Sequence, residues 1–534
     1  MNLSAGVASL PRMIKKTSPA IPVLAAVAAL SILAGCGGGS DSSSDDPASL
    51  APAGSPLYIE ATVLPSGKLK TEVDELASTV AGVDDVGEEV VSLIESAAEE
   101  EGESFDYAKE VEPWLGEKVG LSFQRYDGED FKQFAVALQT KDPDAALEFI
   151  EKQTEDEGEA PEEGEYEGNT YFVEADDDDV VGIVGDFVVI AEDKKSFEGA
   201  VDASDGENLA GEDSFSEALE NATDGSIADV FVDIGGLIEQ SGDGIDPQAK
   251  QLFESSGIEP EEATAIASLV PGSDRIQIDV SSDLADTEAP EGDVSQLLGS
   301  LPDESFAAVG VPGFGDTLKS IVDTIDENGI PGEVPPKKFK STLAQAGIDL
   351  DEISASIEDA AAFGVGRNEK SLEGALVLTT TDAGKATETV TTIGNLLKAS
   401  GMPGVTPING ATRGFEVSSP DLGGKQLVVA ARDERIAVSY GTAPAKLALT
   451  PPKGATLNDN PAFKEAVSAL EGTPISGFVD GKAAVSLVEA MLDPEEKTEF
   501  AEARPYVKKI SYVSIGSTAE GNIASARLIV GVGK

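Results

Sequence analysis

The chain reads as an α+β protein of two tandem repeats, each a largely antiparallel sheet with helices packed on it. Three observations predict this. Short apolar strands follow one another across glycine-bearing turns, as antiparallel neighbours do. Helical stretches come in pairs rather than between every two strands, so a doubly wound parallel sheet does not fit. Short segments also recur in the same order about 245 residues apart, which is the mark of a duplicated unit.

The recurrence has three anchors. Residues 137–146 align without gaps on residues 377–386, sharing Leu138/Leu378, Thr140/Thr380, Asp142/Asp382 and Ala146/Ala386. Phe215-Ser216-Glu217-Ala218-Leu219 matches Phe463-Lys464-Glu465-Ala466-Val467, and Phe231-Val232-Asp233 matches Phe478-Val479-Asp480. Their offsets of 240, 248 and 247 are nearly constant.

Each copy opens with a strand, Tyr58 to Leu64 and Phe306 to Val311, ended by proline and a turn. A helix follows. Leu69, Val73, Leu76 and Val80 form one apolar stripe, as do Leu318, Ile321, Val322 and Ile325. After a second helical stretch come paired strands, Val119 to Phe123 with Phe134 to Leu138, and Ala362 to Val365 with Ala375 to Leu378. Asp142 and Asp382 then stand where a helix N-cap belongs. Hairpin strands recur at Tyr171 to Glu174, Val180 to Val184 and Phe187 to Ala191, and at Phe415 to Val417, Gln426 to Ala430 and Arg435 to Val438. A helix around Phe215 or Phe463 leads to the Phe-Val-Asp strand. The copies close at Arg275 to Ser281, and at Ile510 to Ile515 with Ala524 to Val532.

The amino-terminal region is of another kind. Arg12, Lys15 and Lys16 precede an apolar run from Ile21 to Ala34, and Leu33-Ala34-Gly35 leads into Cys36, the only cysteine. A basic region, a short apolar stretch and small residues make a secretory signal, and the run is too short to span a bilayer. Met13-Ile14-Lys15-Lys16 alone is a compact basic start, which places initiation at Met13. With cysteine at the cleavage position, the segment resembles the bacterial lipoprotein signal. That resemblance implies cleavage between Gly35 and Cys36, a diacylglyceryl thioether on Cys36 and fatty acylation of its amino group. The expected organisation is a signal peptide (1–35), a disordered Gly/Ser/Asp tether (36–50), a first repeat (51–285), a linker (286–300) and a second repeat (301–534).

Composition excludes several classes of function. The chain has 37 basic and 99 acidic residues and no histidine. A surface of formal charge −62 repels nucleic-acid phosphates, so no nucleic-acid partner is expected, and the membrane contact must run through acyl chains on Cys36. Without imidazole there is no Ser-His-Asp or Cys-His catalysis, and with Cys36 lipidated there is neither a thiolate site nor a disulfide. The acidity is lopsided. Residues 36–290 carry a net −54 and residues 291–534 a net −11, so a fold shared by both copies does not require it.

The densest acid comprises Glu155, Asp156, Glu157, Glu159, Glu162, Glu163, Glu165 and Glu167, followed by Asp176 to Asp179. Calcium is the cation such runs suit, but the spacing is not that of an EF-hand, and solvated loops are the expectation. Gly313-Phe314-Gly315 sits between a strand and a helix, but Leu318 stands where a dinucleotide fingerprint has its third glycine, so a tight turn is expected. Phe105, Tyr107 and Trp114 could line a pocket, and their spacing favours an ordinary core. Asp233 and Asp480 read as helix caps. No catalytic, cofactor-binding or metal-binding residue is nominated.

The order of elements, the export signal and the Thr-x-Asp-x-x-x-Ala turns at Thr140 and Thr380 together resemble the bacterial domain-of-unknown-function 3352 family, over most of residues 50–534. The resemblance implies class and location only, since that family brings no activity with it. The reading is an exported, lipid-anchored envelope protein, a non-catalytic binding or structural module for an unidentified ligand or protein. Two alternatives stay open: a carrier of an apolar molecule in a cavity of the fold, and an envelope enzyme working with paired carboxylates. Cys36→Ser should abolish fatty-acid labelling and leave the protein soluble or uncleaved. Labelling that persists in that variant contradicts the anchor.

Overall fold

The computed structural model describes residues 46–101, 106–128, 130–156, 162–173, 178–241, 262–284, 292–329, 335–345, 347–399, 405–407, 413–418, 425–450 and 453–533. The signal, Cys36, the tether to residue 45, Phe105, Glu157, Glu159, Asp176, Asp177 and the linker to residue 291 lie outside them. The described chain forms two compact units, divided after Ala285.

The first unit contains β1 (Leu57–Thr62), β2 (Leu115–Tyr126), β3 (Phe131–Thr140), β4 (Glu162–Tyr166), β5 (Asn169–Val173), β6 (Val180–Val184), β7 (Phe187–Ala191), β8 (Ala228–Asp233), β9 (Thr264–Gly272) and β10 (Arg275–Asp283). Every neighbouring pair is antiparallel, in the order β10-β9-β8-β1-β2-β3-β7-β6-β5-β4. The central strands are covered on both faces. All five residues of β7 are buried: Phe187, Val189 and Ala191 pack with Phe197, Ala200 and Val201 of the Lys194–Asp205 helix. Val188 and Ile190 point the other way, toward Trp114 and toward Phe149 and Ile150 of the Pro143–Asp156 helix. Alternation in a strand sends successive side chains to opposite faces, so an unbroken apolar run needs a layer on each.

The second unit contains β11 (Ser305–Val311), β12 (Ile357–Val365), β13 (Glu373–Thr380), β14 (Val405–Pro407), β15 (Arg413–Ser418), β16 (Gln426–Arg432), β17 (Arg435–Tyr440), β18 (Ile475–Asp480), β19 (Ile510–Glu520) and β20 (Ile523–Val532). Its order is β20-β19-β18-β11-β12-β13-β17-β16-β15-β14, again all antiparallel. Position for position, this is the order of the first unit.

Local contacts repeat as well. Phe215 meets Phe231 edge to face with ring centres 5.1 Å apart, and Phe463 meets Phe478 at the same 5.1 Å. Asp142 Oδ1 accepts from the Ala145 amide (3.1 Å) and Asp382 Oδ1 from the Lys385 amide (2.9 Å), each starting its helix. Pro52 bridges Asn208 as Pro302 bridges Thr456. Ser55 Oγ donates to the Pro52 carbonyl (2.6 Å) and Ser305 Oγ to that of Pro302 (2.7 Å).

Four expectations need correction. The tether does not reach residue 50: Pro47–Leu50 is a 3-10 turn capped by Asp46, with Ala48 and Leu50 buried against the sheet. The linker does not reach residue 300: Ser295–Gly299 is a helix whose Leu297 and Leu298 enter the core of the second unit. Residues 162–166 are not a loop but β4, paired with β5. The stripe through Ile321 is only partly buried; Val322 faces inward and Ile321 is 48% exposed.

Phe231→Ala and Phe478→Ala should each cost about 3–5 kcal/mol, the usual loss for a core phenylalanine. Denaturant melts of the two single variants check this. A cost under about 1 kcal/mol at either position contradicts the packing described.

Candidate functional site

An open cleft of about 530 Å³ lies in the first unit, where the helices that follow β1 leave the sheet incompletely covered. Its walls include Val63, Leu64 and Pro65 after β1, Val86, Val90 and Val91 of the Val86–Glu101 helix, Tyr107 and Ala108 of the Tyr107–Glu110 helix, and Leu115 of β2. The volume is within the roughly 300–1,000 Å³ typical of small-molecule sites, and apolar walls with a few polar groups are their usual composition.

Polar contacts hold the walls in place. Lys70 Nζ donates to Asp74 Oδ2 (2.8 Å) and Asp85 Oδ2 (2.9 Å), tying the Gly67–Val80 helix to the loop beyond it. Asp74 Oδ1 accepts from the Val86 amide (3.1 Å), and Asp85 Oδ1 from that of Glu88 (3.0 Å). Across the cleft, the Tyr107 amide donates to Glu95 Oε1 (3.1 Å), and Trp114 Nε1 donates to the Glu110 carbonyl (2.6 Å). Burial, with the charge of Glu112, raises the Tyr107 phenol above its ordinary pKa.

In the second unit the corresponding helix packs closely. Phe314–Asn328 lies against the Leu350–Ser356 helix and β12, with Phe314, Leu318 and Ile353 joining the core. Gly315 permits this, because a Cβ there would stand 2.3 Å from the Ile357 carbonyl oxygen and 2.4 Å from that of Ser354. Gly67, at the start of the first unit's helix, takes a left-handed φ of 60° with nothing within 4 Å of an added Cβ, as does Gly313 (φ 56°) before the second unit's helix.

A second polar group lies on the opposite face of the first sheet. Glu60 and Asp229 are cross-strand partners, an unfavourable pairing of like charges. Lys118 Nζ bonds Glu60 Oε1 (2.6 Å), Tyr58 Oη donates to Glu60 Oε2 (3.2 Å), and Ser268 and Ser226 hydroxyls donate to Asp229 (2.5 and 2.7 Å). The Pro47–Leu50 turn covers this face, and the space between Pro47, Tyr58 and Gly120 is about 10 Å³. That void is at or below what one water needs, while the Glu60 and Lys118 side chains keep 24% and 22% exposure and are engaged with each other.

The residues singled out in the sequence fall as follows. Trp114 is core, 1% exposed, beside Phe149, whereas Tyr107 lines the cleft. Asp233 and Asp480 cap helices, accepting from Gly236 (2.8 Å) and Ala483 (2.9 Å) amides. Gly313 adopts a left-handed φ of 56° before its helix, as a tight turn requires. Asp178 and Asp179 lead into β6. Among the described residues, no group of three or more acids is placed to hold a metal ion, and no helix is long and apolar enough to cross a membrane. Gly35 and Cys36 lie outside the described residues. Sequence reasoning missed the cleft, whose lining comes from separate segments between residues 63 and 115. It also missed Glu60, whose signal was an acid two residues from Tyr58 on one face of an apolar strand.

The sequence model of one family, described as "Protein of unknown function (DUF3352)", matches residues 22–528, and the chain belongs to that family. A search of curated proteins finds no match. Among solved structures, crystal form I of TP0453 is similar at 14% identity and a TM-score of 0.24, over 46% of this chain and 81% of that one. Crystal form III of TP0453 gives 11% identity and 0.24, over 46% and 82%.

The Glu60 arrangement has a consequence for stability. Burial first, then the charge of Asp46, pushes its carboxyl up from 4.5 to about 7, against the pull of Lys118. The folded state therefore holds the Glu60 proton more tightly than the unfolded chain does. This contribution is fully present below pH 4.5 and is lost as pH rises through about 7. Glu60→Gln should gain stability relative to the parent between pH 5 and pH 8, by about 1–3 kcal/mol. Thermal melts at both pH values check it, and a difference that does not change with pH contradicts it.

Proposed function

We propose that this protein is exported and lipid-anchored through Cys36, and that it acts without catalysis, binding an apolar ligand in the cleft of its first unit. The cleft carries the reading: about 530 Å³ of largely apolar lining beside a sheet whose central strands are otherwise covered. Supporting the location are the basic start, the short apolar run and Leu33-Ala34-Gly35-Cys36. The shared strand order supports reading the units as copies of one ancestral unit, of which the first has opened and the second has kept its helix closed over Gly315. A carboxylate enzyme is the weaker reading, because the close acid pair, Glu60 and Asp229, is stapled by Lys118 and serine hydroxyls beneath a covering turn.

The test is titration of the mature chain carrying Cys36→Ser with N-phenyl-1-naphthylamine, a neutral apolar dye whose emission rises on burial. Saturable binding is expected, weakened at least about fivefold, or ~1 kcal/mol, by Val91→Trp or by Ala108→Trp. Ala108 is exposed, so its replacement fills the cleft without disturbing the core. No saturable binding, or binding indifferent to both substitutions, overturns the proposal.

A further inference from the structure

We propose that the cleft's occupant is a cationic amphiphile: a single hydrocarbon chain on the apolar wall with an ammonium-type headgroup at the rim. This rests on the cleft being a binding site, and it names the chemistry that the site selects.

Charge complementarity carries the inference. One cation, Lys70, lines the cleft, against four carboxylates, Asp74, Asp85, Glu88 and Glu112. Lys70 is engaged by both Asp74 and Asp85, so its charge is already answered. Glu88 and Glu112 are exposed at the rim, and neither side chain has a hydrogen-bond or ion-pair partner among the described residues. A fatty carboxylate would bring a fifth negative charge among these four. An ammonium headgroup meets two unanswered acids.

Tyr107 adds a second, independent observation. It is 9% exposed, lines the cleft, and its hydroxyl bonds no described group. The ring is buried while the hydroxyl itself keeps contact with the open cleft, so its hydrogen bond is available to a ligand that enters. An oxygen near the ligand's headgroup, such as an ester or hydroxyl, would accept that hydrogen bond. The apolar wall of Val63, Leu64, Val86, Val90, Val91 and Leu115 then takes the chain.

The protein's acidity attracts any cation, so the test must separate the rim from the general field. The dye-loaded Cys36→Ser chain is titrated in 0.15 M salt with dodecyltrimethylammonium or dodecanoate, each below its micelle concentration. Dodecyltrimethylammonium should displace the dye at about tenfold lower concentration than dodecanoate, as two rim ion pairs against like-charge repulsion would give. Glu88→Gln with Glu112→Gln should shrink that ratio, taken within the variant, to about threefold or less. Glu217→Gln with Glu220→Gln, both exposed on a helix that does not line the cleft, should leave the ratio intact. The inference is overturned if dodecanoate displaces equally well, if the rim variant keeps the full ratio, or if the distant variant lowers it as much. A dye that never binds overturns the cleft reading itself, which keeps the two failures apart.

Discussion

The structure depends on strands that bury both of their faces. In β7 every residue from Phe187 to Ala191 is buried, and in β16 the four residues from Val428 to Ala431 are. An antiparallel sheet with one wet face would read as alternating apolar and polar residues. These runs do not alternate, so each sheet needs two layers of cover. In the first unit the Pro47–Leu50 turn and the Lys194–Asp205 helix supply one layer, and the Pro143–Asp156 helix supplies part of the other. The cleft occurs where that second layer is incomplete. The proposed function rests on the same demand, since apolar surface left bare by the fold is surface a ligand can cover.

The same constraint shows where acid is tolerated. At the edge of the first sheet, β4 is Glu162-Glu163-Gly164-Glu165-Tyr166, with all three glutamates exposed. Charge on an edge strand discourages pairing with another chain. Gly164 stands between them because a Cβ there would meet the Tyr171 ring at 2.2 Å. The acid run that seemed to mark a loop is thus a protected edge. On the half-buried positions of β1 and β8 the acids have partners, Glu60 in Lys118 and Asp229 in Ser226 and Ser268.

What could be read from the sequence follows the same division. Val180 to Val184 and Phe187 to Ala191 were legible to the residue because their apolar runs end at turns. The Phe-Val-Asp strands and the caps at Asp142 and Asp382 were legible because aromatic and capping residues carry local rules. β9 was not legible. Thr264, Ser268 and Pro271 give little strand signal, and its place is set by β8 and β10 on either side. Pro47–Leu50 looked like tether because it continues a Ser/Asp-rich run, and only the tertiary burial of Ala48 and Leu50 reveals it. The cleft was invisible for a like reason. Tyr107 hinted at it, but the wall is assembled from strand ends and three helices, and no spacing in the chain encodes that meeting.

The central claim is that the first unit's cleft holds an apolar ligand. Native mass spectrometry of the protein released gently from its own membrane tests it most directly. The account predicts one lipid-like adduct per chain beyond the covalent anchor, reduced in the Ala108→Trp variant. A bare chain, or an adduct that the variant retains in full, would contradict it.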